Sequence, residues 1–169
     1  SQPLRLISPL SANNIRVRDA IGMRLMELIH SDEAFSISWY DADHKIVLAH
    51  IHKRWNWTDA ERLFSKMDEI FLGFTHEAYS IYVFDQGANI FPEGKSALQN
   101  MRKHLAIDPE NLRLVVVVNS GMIVETILQV VFNAYRLLDT SSKFRFVRTL
   151  NQALQEIEQY EIKHPYPQP

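Results

Sequence analysis

Tyr79-Ser-Ile-Tyr-Val-Phe-Asp85, followed by Gln86-Gly-Ala-Asn-Ile-Phe-Pro-Glu-Gly-Lys-Ser96, is the stretch on which the fold turns. An apolar strand runs into an aspartate, the chain turns, and Pro92 opens a helix whose first residues are polar. In open α/β sheets, ligands and partners sit at the carboxyl ends of strands, beside helix N-termini. The segment from Asp85 to Ser96 therefore marks the expected site.

Working upstream, Phe35-Ser-Ile-Ser-Trp39 alternates apolar with small polar residues, which predicts a strand with one buried face. Asp41-Ala-Asp-His44 is turn chemistry, and Lys45–His52 is a second strand, so the two form a hairpin. Thr58-Asp-Ala-Glu61 has the spacing of a capping box, and Ala60, Leu63, Phe64, Met67, Ile70 and Phe71 trace an apolar helical face to Leu72. Before the hairpin, Ile15, Val17, Ile21, Leu25 and Leu28 recur at helical steps, which predicts an amphipathic helix over Asn14–His30. Ser1–Asn13 shows no periodicity and reads as an arm.

Downstream, Pro92–Leu105 is a helix with Ala97, Leu98, Met101 and Leu105 inward. Leu112–Val118 is a strand covered on both faces. Ser120 caps a long apolar helix to Leu138. Lys143–Val147 is a fifth strand, and Thr149-Leu-Asn-Gln152 is a capping box opening a last helix through Tyr160. The tail, His164-Pro-Tyr-Pro-Gln-Pro169, is expected to be loose or extended. The order α–ββ–α–β–α–β–α–β–α predicts an α/β fold: a mixed, mostly parallel five-stranded sheet with an initial hairpin and packed helices. The expected division is residues 1–31, an arm and helix; 32–162, the domain; and 163–169, the tail.

Composition narrows the function classes. In 169 residues, 46% are apolar and 22% charged, which fits a soluble globular domain. Lys+Arg 18 against Asp+Glu 20 leaves −2, and the pI of 6.4 gives no electrostatic case for nucleic acid. The absence of cysteine excludes disulfides, thiolate metal sites and cysteine nucleophiles. No run approaches the roughly twenty apolar residues of a membrane span, and the N-terminus lacks a secretory pattern, so a cytoplasmic location is expected.

From about Phe35 to Tyr160 the chain resembles the STAS domain, the fold of sulfate-transporter tails and anti-sigma-factor antagonists. The likeness rests on element order, the capped helix at Trp57-Thr-Asp-Ala-Glu61, the strand Ile81–Asp85 with its long turn, and Leu114–Val118 followed by a polar break. It implies a regulatory, protein-binding module. In the antagonists the corresponding turn carries a phosphorylated serine after an aspartate. Here Glu93 and Gly94 stand at about those positions, and Ser96 follows two residues later.

The individual constellations point away from catalysis. Asp85, Glu93 and Ser96 share one edge, yet an aspartate ending a strand ordinarily bonds its own loop amides, and a glutamate after Pro92 favours the helix dipole. Lys95 and Ser96 at a helix start are donors for an anion. Glu93-Gly-Lys-Ser96 ends like a phosphate loop, but Asn89 stands where its first glycine belongs. His50 and His52 lie two apart on one strand face, with His44 across the hairpin. No carboxylate has ligand spacing, edge-strand histidines facing solvent are expected, and so no metal or cofactor is. Trp57 is expected in the core, with Trp55 open. No Gly-x-Ser-x-Gly elbow surrounds Ser120, and no enzyme is expected.

The expected function is a non-enzymatic interaction module that binds a protein partner or a second copy. Its binding residues are Asp85, Glu93, Lys95, Ser96, Asn119 and Ser120, with Asn14–His30 and Gly121–Leu138 as dimer surfaces. Two alternatives stand beside it. One is a carrier of a small apolar, lipid-like ligand, with Gly121–Leu138 lining a cavity with Phe71, Phe74 and Phe132. The other is a switch phosphorylated at Ser96.

Overall fold

The computed structural model describes residues 26–52, 54–85, 88, 97–105, 107, 109–118, 126, 129, 130, 132, 133, 136 and 138–166. In chain order the elements are β1 Glu27–Ser31, β2 Phe35–Trp39, β3 Ile46–Ile51, α1 Trp57–Leu72, β4 Ala78–Phe84, α2 Ala97–Leu105, β5 Leu112–Val118, α3 Leu138–Ser142, β6 Phe144–Val147 and α4 Leu150–Lys163. The six strands lie side by side in sequence order. β1–β2 and β2–β3 pair antiparallel, and β3–β4, β4–β5 and β5–β6 pair parallel. The expected mixed, mostly parallel α/β sheet is present.

It has one strand more than expected. Glu27–Ser31 overlaps the C-terminal end of the helix expected over Asn14–His30 but pairs with β2, with an irregularity between Leu28 and His30. Apolar residues at Leu25 and Leu28 suit a helix, yet Leu28 and His30 also alternate as a strand does, and β2 offers an unpaired edge. The remainder of that expected helix lies outside the described residues.

The hairpin follows its turn chemistry. The Asp41 carboxylate accepts from the amides of Lys45 at 3.0 Å and Ile46 at 2.8 Å, and His44 takes the left-handed φ of 54° that reverses the chain. α1 begins at Trp57, capped by Asn56: its side chain accepts from Asp59 N at 3.0 Å, and Asp59 Oδ2 accepts from Asn56 N at 3.1 Å. The expected box of Thr58 and Glu61 is thus displaced two residues upstream. The box of Thr149 and Gln152 opens α4 as expected.

Two apolar layers sandwich the sheet. On one face, Phe35, Ile37, Val47, Ala49, Ile51, Val115 and Val117 pack with Ala60, Leu63, Met67 and Phe71 of α1. On the other, Tyr79, Ile81, Leu114, Val116 and Val118 pack with Ala153 and Ile157 of α4. Trp55, left undecided by the sequence, is buried in the first layer, and Trp57 is half-buried and packs against it. In the tail, expected to be loose or extended, Tyr166 packs on the second layer with the Arg113 guanidinium 4.4 Å from its ring. Arg113 also donates to the His164 carbonyl.

Candidate functional site

β3 and β4 run parallel, with His50 beside Val83 and Ile51 beside Phe84. One residue further, the Asp85 amide donates to the Ile51 carbonyl at 3.0 Å, which carries Asp85 alongside His52. His50, His52 and Asp85 alternate onto the same sheet face as Ile81 and Val83. They meet there: His50 Nε2 lies 2.5 Å from Asp85 Oδ1, and His52 Nδ1 lies 3.7 Å from Asp85 Oδ2. The two imidazole rings stand edge to face, with centroids 4.5 Å apart.

Burial grades the three groups. The His50 side chain is 5% exposed, His52 33% and Asp85 40%. His50 Nδ1 is buried and has no hydrogen-bond partner among the described residues, so the ring's polar contact is on its Nε2 edge. Partial burial lowers the His52 pKa, and neighbouring His50 lowers it further, against the opposing pull of Asp85. The neutral imidazole, with a free lone pair, is favoured. His52 is held in place by its amide, which donates to the Ala34 carbonyl at 2.9 Å.

Two sequence expectations change here. The histidines are not on an edge strand: β3 is third in a six-stranded sheet, and His50 is core. The carboxylate judged missing is Asp85, 35 residues beyond His50 in the chain and brought in by parallel pairing across α1. Asp85 is among the expected binding residues and the two histidines stand apart from it in the sequence; equal counting along the two parallel strands is the signal that brings them together. Of the other expected binding residues, Glu93, Lys95, Ser96, Asn119 and Ser120 lie outside the described residues. His44, on the hairpin, pairs instead with Glu27 at 2.6 Å.

A second region lies between α1, α2 and the opposite sheet face. Trp57, Phe64 and His104 pack ring against ring, with Phe64 and His104 centroids 5.0 Å apart. Burial raises the pKa of Asp68, against the lowering influence of His104, and burial raises Tyr82 as well. In both cases burial in this layer disfavours the charged form. Ser80 Oγ, Trp57 Nε1 and His104 Nδ1 are buried there with no hydrogen-bond partner among the described residues. Phe71 packs against Phe74 at 5.2 Å and Phe132 against Phe144 at 5.1 Å. A shallow open groove outside α1 is lined by His30, Thr58, Glu61, Arg62, Ser65, Lys66 and Glu69.

The chain is thus an α/β domain whose mixed, mostly parallel sheet is covered by an apolar layer on each face. The chain belongs to the divergent CRAL/TRIO domain family, whose model matches residues 47–167. This corrects the STAS resemblance, which was the ground for a switch at Ser96. Repeated strand–helix crossovers after a hairpin are common to both readings, so element order does not separate them. No curated protein and no solved structure matches the chain. No helix among the described residues is long and apolar enough to cross a membrane.

Proposed function

We propose that this chain is a non-enzymatic carrier of a small lipophilic ligand. The observation that carries the reading is membership of the CRAL/TRIO family, a lipid-binding fold, across β3 to the C-terminal tail. The layer between α1, α2 and the sheet supports it. That layer is aromatic, its burial disfavours the charged forms of Asp68 and Tyr82, and it holds buried polar atoms that a ligand's polar end would satisfy. A mostly apolar lining with a few polar groups is the composition of small-molecule sites.

The test is native mass spectrometry of the purified chain, followed by organic extraction and titration with a fluorescent fatty-acid analogue. The expected result is a co-purifying apolar adduct, or saturable binding near one probe per chain. Phe64→Ala is expected to weaken that binding several-fold, because it removes the ring between Trp57 and His104. An adduct-free protein that shows no saturable uptake would overturn the reading.

A further inference from the structure

We propose that His50, His52 and Asp85 form a binding site for one divalent transition-metal ion of the zinc class. The site lies on the α4 face of the sheet, and the proposal does not depend on the lipophilic ligand. Two imidazoles and one carboxylate offer ligand atoms that all lie within 4.8 Å of one another. A tetrahedral zinc with bonds of roughly 2.0–2.2 Å holds its ligand atoms about 3.3–3.5 Å apart. The separation of His52 Nδ1 from Asp85 Oδ2, 3.7 Å, is already close to that value. His50 Nε2 and Asp85 Oδ1, at 2.5 Å, share a hydrogen bond that the ion would replace. These two distances run to different oxygens of Asp85, so Asp85, as a single donor, turns one oxygen onto the ion while its pair with His50 opens by about 0.8 Å. Asp85 is the most exposed of the three, so a rotation of its carboxylate provides the movement without disturbing the core.

The donor set selects the metal. Nitrogen and carboxylate oxygen without thiolate suit Zn²⁺, Co²⁺ or Ni²⁺, whereas Ca²⁺ and Mg²⁺ demand shells rich in oxygen. Three protein donors leave a fourth position for water. The scaffold is rigid where it needs to be. The donors stand at the ends of two hydrogen-bonded parallel strands, and the amides of His52 and Asp85 are both tied to neighbouring backbone carbonyls. A bound ion would therefore clamp the carboxyl ends of β3 and β4 together.

The experiment uses the chain free of any affinity tag, stripped with a chelator and titrated with Co²⁺. The expected result is visible d–d absorption that saturates at one equivalent and is abolished by Zn²⁺, together with a rise in Tm on adding Zn²⁺. His50 is core, so the deciding variants are His52→Ala and Asp85→Asn, with far-UV circular dichroism confirming that each is folded. Each is expected to lose more affinity than the roughly 10–100-fold that removing an outer-shell partner costs. Absence of the cobalt bands in the parent, or undiminished binding in either folded variant, overturns the proposal.

Discussion

Asp32 holds the entry to β2. Its carboxylate accepts from the amides of Ala34 at 2.8 Å and Phe35 at 3.1 Å, and from Arg62 Nη2 of α1 at 2.9 Å. Burial pushes its pKa up, but the bonds from Arg62 and then the two amides prevail and hold it at about 2, below the ordinary 3.8. A folded value below the unfolded one means the stabilisation is present above about 3.8 and is lost as pH falls toward 2. Asp32→Asn, which loses the ion pair, is expected to cost about 1–2 kcal/mol at pH 7, after allowance for partial solvent screening. Urea titrations should show the gap between variant and parent narrowing by about half at pH 3, and an equal gap at both pH values would refute the assignment. At this scale the sequence disclosed residue types but not encounters. Asp85, His50 and His52 each attracted notice. Their contact depends on the register of two strands separated by a sixteen-residue helix, and no local pattern records register.

The elements show where periodicity suffices and where it does not. β2, β3, β4, β5 and β6 follow the alternating or continuous apolar runs that predict them, and α4 follows its capping box. The start of α1 is less determinate, because Asn56-x-x-Asp59 and Thr58-x-x-Glu61 are overlapping boxes and either satisfies the free amides of a first turn. The structure uses the first. Asn56→Ala is accordingly expected to cost about 1 kcal/mol and Thr58→Ala no more than about 0.5 kcal/mol, read as shifts in the urea midpoint at constant slope. The opposite ranking would place the cap at Thr58. β1 escaped the sequence for a different reason. Its two apolar residues, Leu28 and Ile29, are adjacent and set neither period, and the otherwise unpaired edge of β2 is what takes the segment up.

Across the whole molecule, the strands β4 and β5 are apolar on both faces, which is why their sequences run nearly without interruption: Leu114 to Val118 are all buried. That run announced a sheet covered on both sides. It said nothing of family, because any covering helix rewards the same residues. One consequence is that the two layers share their backbone and stand or fall together. The three tryptophans, Trp39, Trp55 and Trp57, all belong to the α1 layer, so their fluorescence reports on that face alone. Leu63→Ala removes packing within the α1 layer, and Ile157→Ala removes it from the α4 layer on the far side. Each truncation of a buried side chain is expected to cost about 2–5 kcal/mol. If the layers are coupled through the sheet, Ile157→Ala lowers the urea midpoint of tryptophan fluorescence as much as that of far-UV circular dichroism, in a single transition. If the α4 layer melted by itself, Ile157→Ala would leave the fluorescence midpoint where it is in the parent and split it from the dichroism midpoint. Coincidence is the expected outcome, because β4 and β5 cannot lose one covering layer without exposing the strands that support the other.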